Sequence, residues 1–150
     1  MAYLQFIVGN IRSLSYGFML SLFSTFGQTA FIAVYGGQIL VLYDMTPGEY
    51  GLLYMLATLS SAALMIQAGK LVDDLPRVLF TGAVLVGMTV ACLAMYAQAY
   101  IQSMLFLYLT LLLLRLFGQG LMSHASMTAM ARDFNRNRGK ALSIAAMGHA

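Results

Sequence analysis

The chain has 150 residues, of which 61% are hydrophobic and only 9% are charged, and its mean hydropathy is +0.81. Soluble domains carry about 25% charged residues, so this composition excludes an ordinary soluble domain and predicts an integral membrane protein. The net charge of +3 does not indicate nucleic-acid binding, because the basic residues lie at the ends of apolar runs. The single cysteine, Cys92, excludes an internal disulfide.

Apolar segments long enough to cross a membrane follow one another along the chain. The predicted helices cover residues 13–42, 47–68, 76–97, 103–131 and 140–150. Thr46 fits an N-cap, Pro47 suits the first helical position and Glu49 completes a capping box, so the second helix is predicted to begin there. The last segment is too short to span, so we expect a fragment that ends within a helix. No internal repeat or soluble domain is evident, and residues 1–150 are predicted to form one membrane domain.

The distribution of lysine and arginine predicts how the chain is oriented. One side carries Asp44 and Glu49 and no basic residue. The other side carries seven of the eight basic residues: Arg12, Lys70, Arg77, Arg132, Arg136, Arg138 and Lys140. The N-terminus is therefore predicted to be cytoplasmic, in a multi-pass protein of the inner (plasma) membrane.

The eighth basic residue, Arg115, lies about twelve residues into the predicted fourth helix, or about 18 Å along its axis. A guanidinium at that depth must face protein or a water-filled cavity. The apolar spans contain no Asp or Glu, so its partner would be a backbone carbonyl, a residue beyond the chain or a solute. Arg115 is either a cavity residue that attracts an anion or a structural residue. Gln119, Met122 and Ser126 share its face on a helical wheel, and that face would line the cavity.

A polar stripe runs along the predicted first helix within an arc of about 100°. Its members are Ser21, Ser24, Thr25, Gln28 and Tyr35. Such a stripe faces away from lipid, so it either lines a solvated path or hydrogen-bonds a neighbouring helix. Serine and threonine can bond their own backbone, which makes Gln28 the informative member. We predict that Gln28, Ser24 and Tyr35 line a cavity, with helix packing as the alternative.

A short charged loop, residues 69–77, separates the second and third predicted helices. Gly69 permits a close approach or a positive-φ turn. Asp73 and Asp74 precede the third helix, where negative charge is favoured, and Arg77 can pair with either of them. A solvated capping turn would explain these features.

The order of residues in this loop also resembles a motif of the major facilitator superfamily of transporters. That motif lies between helices 2 and 3 and reads Gly-x-Leu-small-Asp-basic-x-Gly-Arg-basic. The residues at matching positions are Gly69, Leu71, Val72, Asp73 and Arg77. Residues 115–120, Arg-Leu-Phe-Gly-Gln-Gly, resemble the helix 4 motif, and 138–141, Arg-Gly-Lys-Ala, resemble the start of helix 5. Residues 26–32 and 115–124 are similar to a bacterial branch of the superfamily.

The resemblance implies the N-terminal part of a twelve-helix fold in which two six-helix halves rock around a site at mid-membrane. It implies a secondary transporter whose partners are a small solute, membrane lipid and the remaining helices of its own chain. In the superfamily, the aspartate at the position of Asp73 stabilises the outward-facing state across the interface between the two halves. Gly69, Asp73 and Arg77 would accordingly form a gating loop, with the partner of Asp73 beyond this chain.

One buried cation and no buried carboxylate favour a small anionic or polar organic solute, at a site supplied by Arg115, Gln119, Gln28, Ser24 and Tyr35. A coupling proton stays open, and no cofactor or metal is predicted. The alternative is a small membrane scaffold or partner subunit without transport activity. No His-Glu-x-x-His site, Gly-x-Ser-x-Gly elbow or glycine-rich phosphate loop is present, so an enzyme is not predicted.

Overall fold

A computed structural model describes residues 2–149, without the side chains of residues 2, 29 and 30. The regular structure of this part of the chain is helical throughout, which confirms the predicted all-α class. The helices are α1 (Ala2–Gly9), α2 (Ile11–Ser24), α3 (Thr29–Leu42), α4 (Pro47–Ala68), α5 (Leu71–Asp74), α6 (Arg77–Ala97), α7 (Met104–Leu113), α8 (Ser123–Asp133) and α9 (Arg138–Ala146). A π-helical segment, Leu114–Met122, joins α7 to α8, and 3₁₀ turns occupy Thr25–Gly27 and Met147–His149.

Four stretches are long and apolar enough to cross a bilayer, which needs about 20 residues. They are the first span (Ile11–Leu42), the second span (Pro47–Asp74), the third span (Arg77–Ala97) and the fourth span (Met104–Asp133). Large apolar side chains cover their outer surface, with Val41 at 85% and Val78 at 86% exposure. Such a surface is stable only against lipid, so the prediction of a polytopic membrane protein is confirmed.

The fourth span lies at the centre of the bundle and packs against each of the other three. The second span lies along α7 and the π-helical segment, the third span packs against the same two elements, and α2 packs against α8. Fully buried side chains therefore follow the whole length of the fourth span: Leu107, Leu111, Leu114, Met122 and Met130. Helix α9 packs against α2 and α8, at the end of the bundle where the fourth span ends.

The first span departs from the prediction of one helix over residues 13–42. It begins at Ile11, and it is interrupted after Ser24 by a 3₁₀ turn and by Gln28, whose backbone is extended at φ −86° and ψ 161°. The hydroxyls of Ser24 and Thr25 donate to the carbonyls three residues before them, at 2.7 and 2.6 Å. Side chains that bond the backbone in this way compete with regular helix hydrogen bonds. Gly27, which follows them, has a low helix propensity. Both features favour an interruption of the helix at this point.

The second, third and fourth spans begin close to the predicted positions. Helix α4 starts at Pro47, and the predicted capping box is present, with Thr46 Oγ1 accepting from the Glu49 amide and Glu49 accepting from the Thr46 amide. Asp44 makes the turn before it at φ 49°, a conformation that aspartate tolerates. The Met45 amide then donates to the Leu40 carbonyl at 3.0 Å, which closes the end of α3.

Helix α1 was not predicted, and it packs at the end of the bundle where α8 meets α9. The ring of Phe6 stacks edge-on against Phe134, with ring centroids 5.4 Å apart, and the Lys140 ammonium lies 5.8 Å from the Phe6 ring centre. The predicted last helix, 140–150, begins earlier, at Arg138, and passes into the 3₁₀ turn that ends at His149. Residue 150 lies outside the described residues.

The first and fourth spans approach so closely at Gly27 and Gly118 that a side chain fits at neither position. A Cβ atom at Gly27 would lie 2.1 Å from the Leu114 carbonyl oxygen and 2.6 Å from the Gly118 Cα. Replacing Gly27 or Gly118 by Ala should therefore lower the free energy of unfolding by about 1–3 kcal/mol, because the backbones must separate. Thermal unfolding in detergent measures this loss.

Gly37→Ala is the matched control, because it adds the same methyl group to the first span where no atom lies within 4 Å. Its unfolding temperature should be unchanged or slightly higher, since Ala is the better helix former. If Gly27→Ala and Gly37→Ala unfolded at the same temperature, the close crossing would be contradicted.

Candidate functional site

The crossing of the first and fourth spans brings together three residues predicted from the sequence. Gln28 follows Gly27, Gln119 follows Gly118 and Arg115 follows Leu114, and the backbones of the preceding residues are in contact. Gln28 and Arg115 are half-buried, and Gln119 is exposed. The structure thus places the backbones of these three residues next to a single contact between the two spans.

Arg115 lies in the π-helical segment, eleven residues after the start of the fourth span, which is about 17 Å along the helix axis. Its guanidinium carbon lies 5.4 Å from the centre of the Tyr54 ring of the second span. The electron-rich face of a tyrosine ring attracts a cation at that distance without neutralising its charge. This contact between Arg115 and Tyr54 was not predicted from the sequence.

The π-helical segment changes which residues share a face with Arg115. Its hydrogen bonds close wider turns than those of an α-helix, so a wheel drawn at 100° per residue fails there. Met122 and Ser126 are fully buried, and Met122 borders a groove with Phe23 and Phe26 of the first span rather than with Arg115. Ser126 Oγ donates to the Gly17 carbonyl at 2.6 Å and lies 2.9 Å from Ser21 Oγ. The predicted cavity face of the fourth helix is therefore wrong for Met122 and Ser126, which pack against the first span.

The remaining residues of the first-span stripe do not form one continuous surface. Ser24 is fully buried; its hydroxyl donates to the Ser21 carbonyl at 2.7 Å and accepts from Gln28 Nε2 at 3.5 Å. Tyr35 lies further along the span, with its ring 5.3 Å from that of Phe31. It lines a groove that also includes Met95 of the third span. Of the stripe, Gln28 and Thr25 lie beside the crossing and are partly accessible.

The charged loop is bound to the end of the fourth span rather than to itself. Arg77 donates two hydrogen bonds to the Asp133 carboxylate, at 2.9 and 2.6 Å. Arg132 pairs with Asp73 and also donates to the Val72 carbonyl at 3.3 Å. The expected pairing of Arg77 with Asp73 or Asp74 is therefore corrected, and so is the expectation that the partner of Asp73 lies beyond this chain. The fold brings residues about sixty positions away to the loop because α8 ends beside it.

Gly69 begins this loop with an ordinary right-handed backbone, at φ −63°. The prediction of a positive φ at Gly69 is therefore wrong, and the alternative, a close approach of neighbouring atoms to this glycine, is what the structure has. A Cβ at Gly69 would lie 2.8 Å from the Met65 carbonyl oxygen and 3.8 Å from Nε2 of His124. The loop therefore passes directly over the fourth span, which lets both ion pairs form.

A short repeat in the sequence could have identified the crossing. The tripeptide Phe-Gly-Gln occurs at 26–28 in the first span and again at 117–119 in the fourth. Its two glycines are the residues in contact. Its two phenylalanines both meet the third span, since Phe26 lines a groove with Met88, and a Cβ at Gly87 would overlap the Phe117 ring.

These features define a class of protein: a helical membrane protein whose first and fourth spans cross at close range, with an ion-paired loop at one end. A protein-family model described as Major Facilitator Superfamily matches residues 7–150, so the chain belongs to that superfamily. Its members are membrane transporters that bind small solutes, some of them with a coupled ion, and the chain is accordingly a transporter. No curated protein and no solved structure matches the chain.

The two ion pairs should contribute a small, salt-dependent free energy to the fold. The Arg77 side chain is 47% exposed and that of Asp133 is 23% exposed, so solvent screens the pair. A double-mutant cycle with Arg77→Gln and Asp133→Asn should give a coupling free energy of about 0.2–1 kcal/mol, measured by chemical unfolding. The coupling should fall as salt rises towards 1 M.

Arg77→Gln with Asp74→Asn is the matched control cycle, because Asp74 is the nearer carboxylate in sequence but forms no ion pair within residues 2–149. Its coupling should be close to zero. A larger coupling with Asp74 than with Asp133 would contradict the pairing described above.

Proposed function

We propose that this chain acts in secondary active transport, by alternating access, of a small anionic or polar organic solute across the inner membrane. The observation that supports the proposal is the crossing of the first and fourth spans, where Gln28, Arg115 and Gln119 each follow a residue of the backbone contact. Discontinuous helices beside a mid-membrane site are a recurring feature of secondary transporters. The extended Gln28 and the π-helical turn around Arg115 are two such irregularities at one place.

Arg115 is the residue proposed to attract the solute. A guanidinium presents its donors in a planar fork that matches a carboxylate, and Arg115 lies over the Tyr54 ring at 5.4 Å. Gln28 and Gln119 each add a donor and an acceptor, which suits further polar groups on the solute. Ser24 and Tyr35 remain predicted site residues that support the span on either side.

The loop of Gly69, Asp73 and Arg77 is proposed to gate the transporter. Its ion pairs join the end of the second span, the start of the third and the end of the fourth. Exposed pairs of this kind are individually weak, so they can form and break during a transport cycle. With the N-terminus on the cytoplasmic side, as the lysine and arginine bias predicts, the gate is cytoplasmic.

Replacing Arg115 by Gln should lower solute uptake by about 30-fold or more, because losing one partner of a buried charge pair costs about 2 kcal/mol or more. Uptake into proteoliposomes, with the protein expressed from its own gene, measures this. Uptake of a carboxylate, its neutral amide and its amine analogue should be compared. Arg115→Gln should reduce uptake of the carboxylate more than uptake of the other two.

Arg136→Gln is the matched control, since it removes the same charge from an exposed position outside the bundle. It should retain wild-type uptake. Unchanged uptake by Arg115→Gln, with normal membrane insertion, would remove Arg115 from the mechanism. Preferred uptake of the amine would contradict the anionic solute.

Replacing Asp73 by Asn should slow maximal turnover by about two- to fivefold, as expected for the loss of one weak ion pair from the gate. The KM for the solute should change little, because the loop lies at the end of the bundle. Asp74→Asn, which alters the neighbouring carboxylate, should leave both values unchanged. A rise in KM without a change in turnover would contradict a gating role for Asp73.

A further inference from the structure

A groove between the first and third spans is separate from the crossing and shares Arg77 with the charged loop. It has a volume of about 490 Å³ and opens on the outer surface of the bundle. Its lining includes Arg12, Ser13 and Tyr16 of the first span, and Arg77, Val78, Thr81, Gly82 and Leu85 of the third. We propose that this groove binds an anionic phospholipid through its phosphodiester headgroup.

The lining changes from charged to apolar with depth. Both spans enter the membrane from the same end, because Arg12 and Arg77 lie near their first residues. Arg12 and Arg77 therefore line the rim, and Leu85 lies about 12 Å deeper, eight residues further along the third span. Val78, at 86% exposure, and Leu85, at 42%, give acyl chains a surface below the headgroup. A free phosphate would use only the rim, whereas a phospholipid uses both parts of the groove.

The rim is electrostatically suited to one phosphate. Arg77 is bonded to Asp133, which compensates most of its charge. It therefore adds hydrogen-bond donors to the rim but little net charge. Arg12 is exposed and takes part in no ion pair within the part of the chain that the structure describes. Arg12 thus supplies the net positive charge that faces the headgroup. Basic pockets between helices on the cytoplasmic side bind anionic headgroups in this way.

Two contacts of Tyr16 restrain the side chains of the groove. The hydroxyls of Tyr16 and Thr81 are 2.6 Å apart, which fixes the two spans to one another. The Arg77 guanidinium carbon lies 5.6 Å from the centre of the Tyr16 ring. Arg77 therefore contacts Tyr16 as well as Asp133. A site with little side-chain freedom left to lose binds its ligand at a lower entropic cost.

Tryptophan fluorescence can test the proposal, because the 150 residues contain no tryptophan. A Leu85→Trp variant places a reporter in the groove, and Leu93→Trp places one on the same span at a residue that is 62% exposed and does not line the groove. Each variant is reconstituted in vesicles of phosphatidylcholine with 20 mol% of either brominated phosphatidylglycerol or brominated phosphatidylcholine, the bromines at the same acyl positions. Quenching by the two lipids then gives the preference for the anionic headgroup at each reporter.

We expect phosphatidylglycerol to quench Leu85→Trp about fivefold more effectively than phosphatidylcholine, since one arginine near the surface contributes a preference of that size. Adding Arg12→Gln should remove most of this preference, and adding Arg136→Gln, a charge loss outside the groove, should not. Leu93→Trp should show no preference. Equal quenching by both lipids at Leu85→Trp would overturn the proposal. So would the absence of quenching by either lipid, because protein rather than lipid would then fill the groove.

Discussion

The arrangement of this molecule depends on a backbone contact between two glycines. Gly27 and Gly118 lie so close that a Cβ on either would come within 2.6 Å of the Cα of the other. In a membrane, helices gain little from hiding apolar surface, so close packing at small residues holds them together. This contact fixes where the first span crosses the central fourth span, and Gln28, Arg115 and Gln119 each follow one of the residues in it.

Both spans are irregular where they meet, and the irregularities have a shared consequence. The first span is extended at Gln28, and the fourth passes through π-helical turns around Arg115. Backbone groups released from regular hydrogen bonding are tolerated at membrane depth only inside protein or beside water. The interruption after Ser24 meets this condition because it lies against the backbone of the fourth span. At the charged end of the bundle, regular helices and two ion pairs join the loop to α8.

Local features were predictable from the sequence, and features set by distant parts of the chain were not. Hydropathy gave the four spans, and the start of α4 followed from Thr46 and Glu49, which cap it within a single turn. The break at Gln28 was missed because apolar residues continue on both sides of it, and the close contact beside it involves a span some ninety residues away. The partner of Arg77 was missed for the same reason, since Asp133 is 56 residues distant. The assignment of Arg115, Gln119 and Gln28 to a solute site remains a prediction that the crossing supports.

The most direct test of this account is cross-linking of cysteines placed at Gln28 and Gln119, with Cys92 replaced by serine. If the glycines beside them are in contact, a disulfide or a short bifunctional thiol reagent should join the two positions efficiently in native membranes, and added solute should slow the reaction. Cysteines at Tyr35 and Gln119 provide the comparison pair and should link poorly. Efficient linking of the Tyr35 pair, with none between positions 28 and 119, would contradict the crossing and the site built on it.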